Sequence, residues 1–188
     1  MTLIAIGSSA GGPAALAAVL SGLPRDLKAA IVLVQHLDEK MAGNLAEYLL
    51  QHSTLPVRVA IEGERIVAGM ALLAGTNDHL VLKARDRVGY TKDPIQCVYR
   101  PSVDAFFDSV TRHWKGDVIG VVLTGMGRDG AAGLRRLREV GRHTIAQDQQ
   151  SSVVYGMPKA AAQIDAAVEV LPLDRIASRL VDLVENPQ

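Results

Sequence analysis

Three runs of consecutive apolar residues do most to limit what this chain can fold into: Leu3-Ile4-Ala5-Ile6, Ala29-Ala30-Ile31-Val32-Leu33-Val34, and the stretch over residues 118–123. A strand with one wet face alternates apolar and polar residues, and these runs do not, so both of their faces must be covered. Such strands belong in a parallel sheet sandwiched by helices. The segments between them agree. Residues 13–20 are rich in Ala and Leu and open with Pro13, which suits the first turn of a helix. Residues 42–51 place Leu45, Tyr48 and Leu49 on neighbouring turns. Further helices are expected over about 102–114, 131–140, 158–164 and 173–184, with short strands at 144–146 and 168–170.

The middle of the chain changes character. Residues 57–61, 70–73, 80–83 and 88–92 are short β-like pieces separated by Gly, Asn and Asp, expected as short strands or a hairpin along one edge. The class is therefore α/β: a doubly wound, mainly parallel sheet flanked by helices, with a short antiparallel edge or hairpin region. At 188 residues the expectation is one domain over 1–188. Hydrophobic residues make up 48% but aromatics only 4%, so the core must be built from Ala, Val, Ile and Leu.

Charge narrows the partners. Lys plus Arg and Asp plus Glu each number 20, so no overall field draws the chain to nucleic acid or an anionic membrane. No apolar stretch approaches the roughly 20 residues needed to span a bilayer, and no secretory signal precedes the first strand. A cytoplasmic protein without membrane insertion is expected. The single Cys97 excludes an internal disulfide, and its surroundings carry no reactive motif.

In a parallel α/β sheet, ligand and catalytic groups gather at the carboxyl ends of the strands. The first run ends in Gly7-Ser8-Ser9-Ala10-Gly11-Gly12. Gly-x-Ser-x-Gly on a strand-to-helix turn suits a serine nucleophile, because glycine allows the sharp reversal that exposes the hydroxyl. The same turn suits phosphate held on backbone N–H groups, although Ser9 occupies the place where a dinucleotide fingerprint has glycine. A third reading is a structural turn in which Ser8 is only a cap. The turn alone leaves these open.

Two distant residues bear on it. His36 closes the second run, and Asp129 lies in the Thr124-Gly125-Met126-Gly127-Arg128-Asp129-Gly130 turn after the third. If these strands are neighbours, Ser9, His36 and Asp129 converge. An imidazole supplies the base that a serine hydroxyl needs, and a carboxylate orients that imidazole and stabilises its charged form. The plainer readings are an Asp129 that caps the following helix and a His36 that is an ordinary satisfied polar residue.

The blocks Ile6-Gly7-Ser8-Ser9-Ala10-Gly11-Gly12-Pro13, Val34-Gln35-His36, Tyr99-Arg100-Pro101-Ser102-Val103-Asp104, Leu123 to Gly133, and Thr144 to Pro158 together resemble the chemotaxis protein-glutamate methylesterase catalytic domain, in the family's order and over nearly the whole chain. The resemblance implies Ser9 as nucleophile, His36 as general base and acid, and Asp129 as the residue orienting it. It implies hydrolysis of γ-glutamyl methyl esters on the cytoplasmic helices of a methylated chemoreceptor-type protein, with deamidation of certain glutamines, in chemotaxis or a related surface-sensing pathway. No metal and no cofactor are implied. Ala10, Gly11, Gly12 and Met126 are the candidates for shaping or donating to an oxyanion site, and Arg100 for placing substrate.

This chain departs from the family in two respects. Ala10 stands where many relatives have Thr or Ser, so a hydroxyl is missing beside the nucleophile. Relatives commonly carry an N-terminal receiver domain over the active site, so the expectation is a stand-alone catalytic domain or a piece of a longer protein, with an upstream receiver domain or kinase of the same pathway as a further partner. Arg135, Arg136, Arg138 and Arg142 make one helix basic, which reads as a solvated face or as a surface for an acidic receptor helix. His52, His79, His113 and His143 show no metal spacing. The alternatives in other classes are a phosphate- or nucleotide-binding module on the Gly7 to Gly12 turn, and a catalytically silent docking domain.

Overall fold

The structure is a computed structural model and describes residues 1–187. The elements run β1 (Thr2–Ser8), α1 (Gly12–Ser21), β2 (Ala29–Gln35), α2 (Ala42–His52), β3 (Val57–Val59), β4 (Ala71–Leu73), β5 (His79–Ala84), β6 (Arg87–Thr91), α3 (Val103–His113), β7 (Val118–Val122), α4 (Ala131–Glu139), β8 (His143–Gln147), α5 (Met157–Gln163), β9 (Glu169–Leu171) and α6 (Leu173–Glu185). Seven strands form one sheet in the order β3-β4-β2-β1-β7-β8-β9, and every pair in it is parallel. The continuous apolar runs occupy its centre. Ile4 of β1 lies opposite Ile31 on one side and Ile119 on the other.

The absence of alternation in these runs has the expected cause. Leu3 and Ala5 pack into one apolar layer while Ile4 and Ile6 pack into a second. In β2 the same split separates Ala30, Val32 and Val34 from Ala29, Ile31 and Leu33. One layer is closed by α1, α2 and α6, through residues such as Leu16, Leu49 and Leu180; the other by α3, α4 and α5, through Phe106, Leu134 and Ala161. Each fully buried Leu, Ile or Phe contributes roughly 1.5–3 kcal/mol relative to exposure.

The middle of the chain divides in a way that its letters did not show. Residues 57–59 and 71–73 are not part of a hairpin: the first is a parallel edge strand of the main sheet and the second is the strand beside it, paired on both sides. The strands β5 and β6 pair antiparallel, as a separate two-stranded sheet. Leu80, Leu82 and Val88 of this hairpin turn inward to the layer containing Phe106. Short strands carry too few residues to display their period, so pairing direction had to come from tertiary packing.

After β1 the chain builds outward through β2 to the β3 edge, then returns to the other side of β1 with β7, β8 and β9. The order therefore reverses between β1 and β7. In open α/β sheets the crevice beyond the carboxyl ends at such a reversal is where ligands bind. No helix among the described residues is long and apolar enough to cross a membrane.

Candidate active site

Ser9 follows the last residue of β1, His36 the last of β2, and Asp129 lies in the turn after β7. Because β1 sits between β2 and β7, their carboxyl ends meet at one edge. His36 Nε2 is 2.6 Å from Asp129 Oδ2, with both side chains under a tenth exposed. The other ring nitrogen, Nδ1, is buried and has no partner among the described residues. Ser9 and His36 line one open cleft of about 750 Å³, together with Ala10, Gly11, Tyr99 and Met126. An imidazole bound to a carboxylate through one nitrogen has only the other with which to accept a proton, and here that nitrogen, Nδ1, makes no hydrogen bond to Ser9 or to any other described residue.

Asp129 is held by more than histidine. Its Oδ2 also accepts the Val103 N–H at 2.7 Å, and its Oδ1 accepts the Ser102 hydroxyl at 2.9 Å and the Asp104 N–H at 3.0 Å. The carboxylate thus sits on the N-terminus of α3, where unsatisfied N–H groups and the helix dipole favour negative charge. Burial pushes its carboxyl up, but the bonds from His36, Asp104 and Val103 outweigh this and hold it below the ordinary carboxylate range. The plainer expectation, that Asp129 caps the helix following it, does not hold. Gly130 takes that position in α4 with no side-chain cap.

Next to Asp129, Asp104 is pushed up to about 6, first by burial and also by the Asp129 charge, against the lowering effect of the Gly133 N–H that it accepts at 2.7 Å. The site therefore holds two neighbouring carboxyls whose environments drive them in opposite directions.

The Ser9 turn is fixed by Gln35. Ser8 Oγ donates to Gln35 Oε1 at 2.5 Å, and Gln35 Nε2 donates to the Ser9 carbonyl at 2.8 Å and to the His36 carbonyl at 3.2 Å. One buried amide thereby ties the serine turn to the histidine. Ser8 is not a helix cap, since Gly11 holds that position at φ 78°, which disfavours any side chain. Gly12 is required for a different reason: a Cβ there would collide with Gln35 Oε1 and Ser8 Oγ. From the other flank, Ser9 N–H donates to the Thr124 carbonyl at 3.0 Å, and Thr124 Oγ1 donates to the Ala10 carbonyl at 2.9 Å.

Backbone donors can be sorted by their partners. Gly12 N–H is committed to the Ser9 carbonyl at 2.7 Å and Gly125 N–H to the Val154 carbonyl at 3.0 Å, so neither is available to a ligand. The Ala10, Gly11 and Met126 N–H groups have no partner among the described residues, and all three residues line the cleft. The Met126 side chain is 63% exposed.

Arg100 lies beside this cleft rather than in it. It borders an adjoining hollow of about 290 Å³ that also touches His36, and makes long contacts to Asp78 Oδ1 (3.4 Å) and the Lys92 carbonyl (3.3 Å). The basic helix α4 offers no free row of charge. Arg135 pairs with Glu139, Arg136 with Asp108 through both of its bonding nitrogens, and Arg138 with Asp165. No group of three His, Cys, Asp or Glu side chains among the described residues could hold a metal ion.

Sequence reasoning singled out Ser9, His36 and Asp129 but gave no role to Gln35, Tyr99, Ser102, Thr124 or Asp104. Tyr99 lies flat on His36, with ring centroids 4.3 Å apart and planes 2° from parallel. Gln35 left a signal as a polar residue ending an apolar run, and the other four lie in the blocks that carry the family resemblance.

The site stands beside three comparisons. A family model described as CheB methylesterase matches residues 4–180. Similar curated proteins include protein-glutamate methylesterase/protein-glutamine glutaminase 1 of Pseudomonas fluorescens, 60% identical over 96% of this chain and 54% of that protein. Another, from Cupriavidus metallidurans, is 60% identical over 95% of this chain and 53% of its own length. The chain therefore spans about half the length of the curated relatives it matches. Among solved structures, the Thermotoga maritima CheB methylesterase catalytic domain superposes with a TM-score of 0.91 at 36% identity, over 96% of this chain and 97% of that one.

Proposed function

Because this chain belongs to the CheB methylesterase family, we propose that residues 1–188 form one catalytic domain, a protein-glutamate methylesterase with protein-glutamine glutaminase activity. Its substrates are γ-glutamyl methyl esters, and certain glutamines, on the cytoplasmic helices of a chemoreceptor-type signalling protein. The observation that carries the reading is the 2.6 Å bond from His36 Nε2 to Asp129, which leaves Nδ1 as the unpaired ring nitrogen of a histidine that lines the same cleft as Ser9.

Ser9 Oγ attacks the γ-carbonyl carbon as His36 Nδ1 takes its proton, giving a tetrahedral oxyanion and an imidazolium. Asp129 stabilises that imidazolium and is itself kept ionised by the α3 N-terminus. The Ala10, Gly11 and Met126 N–H groups are the donors for the oxyanion, each worth about 3 kcal/mol in comparable sites. Collapse breaks the bond to the methoxy oxygen, which receives the proton from His36 and leaves as methanol. Water, deprotonated by His36, then attacks the acyl-Ser9; the bond to Ser9 Oγ breaks as His36 returns the proton to it, releasing the glutamate carboxylate. With glutamine the leaving group departs as ammonia.

The phosphate-binding alternative is not favoured by a family match that takes in the Ser9 turn, His36 and Asp129 alike. Methanol release from methyl-labelled receptor should fall by about a million-fold in Ser9→Ala, the scale of losing a triad nucleophile in a serine protease. Undiminished release would sink the proposal. A fluorophosphonate probe should label Ser9 only if it is a nucleophile, which separates the enzyme from a silent docking domain.

A further inference from the structure

The residue that most needs explanation is Tyr99. A base in a serine triad must satisfy two directions in one plane: here Nε2 is bonded to Asp129, and in the proposed mechanism Nδ1 must meet Ser9. Nε2 lies nearer than Nδ1 to the axis of rotation about the Cβ–Cγ bond, so its bond to Asp129 sets where the ring sits but restrains its tilt less than placing Nδ1 requires. Nδ1 lies further off that axis and swings with the tilt. A flat surface against the ring removes this freedom, and the Tyr99 ring is parallel to His36 within 2° at 4.3 Å.

The surface is itself held. Tyr99 belongs to the segment between β6 and α3, and buried His79 grips that segment twice: its Nε2 bonds the Pro94 carbonyl and its Nδ1 accepts the Ser102 N–H, each at 3.0 Å. Three residues beyond Tyr99, Ser102 begins the run of donors that holds Asp129. One anchored segment therefore sets both the carboxylate and the plane of the imidazole. Tyr99 also forms a wall shared by the Ser9 cleft, the hollow beside Arg100 and a third hollow of about 570 Å³ behind Asp129.

We propose that Tyr99 is a positioning residue: its aromatic face fixes the tilt of His36 so that Nδ1 meets the Ser9 hydroxyl, and its hydroxyl group is dispensable. This rests on the proposed role of His36 as base. The test compares Tyr99→Phe with Tyr99→Leu and the flexible Tyr99→Met. In proton spectra of the wild type, the His36 ring hydrogens should lie upfield under the Tyr99 ring current. They should stay there in Tyr99→Phe and move to ordinary histidine positions in the Leu and Met variants. Phe should retain most of kcat for methanol release, whereas Leu and Met should lose about ten- to a hundredfold in kcat, a fall larger than any change in KM and on the scale of a small misplacement of a reacting group.

Labelling of Ser9 by a fluorophosphonate should slow in parallel. If Leu does not fold, Met and Phe supply the same contrast. Unchanged kcat in Leu or Met, an equal loss in Phe, or wild-type ring hydrogens without an upfield shift each overturns the inference. Full methanol release by Ser9→Ala would instead overturn the catalytic reading and leave the ring-current result standing, so the two failures are told apart.

Discussion

The Asp129 carboxylate takes the Val103 N–H at 2.7 Å, so the acid beneath the histidine is also the ligand of a helix N-terminus. All four of its contacts are donors: Val103 N–H, Asp104 N–H, the Ser102 hydroxyl and His36. An asparagine cannot replace it, because one of its terminal atoms would carry hydrogens against donors. Asp129→Asn should cost about 1–3 kcal/mol through the broken network. Turnover should drop by about four orders of magnitude, as when the corresponding carboxylate of a serine protease becomes an amide. Urea melts and methanol-release rates on the same preparation check both numbers, and near-normal turnover would remove Asp129 from the proposed mechanism.

Met126 separates a backbone role from a side-chain role. Its side chain is 63% exposed and its N–H has no partner among the described residues. Met126→Ala keeps the N–H, so stability should change by less than about 0.5 kcal/mol. In the proposed mechanism kcat should hold while KM rises through lost apolar contact in the cleft. Loss of an oxyanion donor would instead cost about 3 kcal/mol, more than a hundredfold in kcat. A fall of that size in Met126→Ala would show that the side chain, not the backbone, acts there.

Most of the architecture could be read from the letters because the central strands are buried on both faces, which writes runs such as Ala29–Val34 into the sequence. The positions of Ser9, His36 and Asp129 followed from the same reading, since each ends or follows one of those runs. What stayed hidden depends on partners that only the fold brings together. Gln35 reaches back 26 residues to the Ser9 carbonyl, and Ser102 reaches 27 to Asp129. Neither residue type announces such a task. The pairing of the short strands stayed open for a related reason, because three residues such as Val57–Val59 show too little period to reveal whether their partner runs parallel.

Asp104 should leave a mark on stability against pH. Its carboxyl is pushed up to about 6 in the folded protein by burial and the Asp129 charge, against about 3.9 when unfolded. Between those values the folded state binds more protons than the unfolded, so stability should fall as pH rises through that window. Asp129, held below the ordinary range, acts the other way and only at lower pH: its contribution is lost as pH falls through its folded value. Asn at position 104 keeps an oxygen for the Gly133 N–H while removing the charge. Asp104→Asn should therefore gain stability relative to wild type on going from pH 4 to pH 7. Urea midpoints across that range would contradict this if both proteins kept the same slope.

Gly12 and Gln35 should be energetically coupled. A Cβ on Gly12 would overlap Gln35 Oε1 and the Ser8 hydroxyl, and these two side chains hold the Ser9 carbonyl and the end of β2 together. Gly12→Ala should destabilise by about 1–3 kcal/mol, the usual cost of forcing an extra carbon into a packed interior. It should also displace Ser9 enough to lower turnover about a hundredfold. Gln35→Ala removes the atom that the new methyl meets but leaves Ser8 and the Ser9 carbonyl without their partner. In the double variant Gly12→Ala/Gln35→Ala, the stability losses should therefore sum to less than the two single losses, with a coupling of about 0.5 kcal/mol or more. Simple additivity would mean that the turn relaxes around the methyl without Gln35, and that the amide is not what makes glycine necessary at position 12.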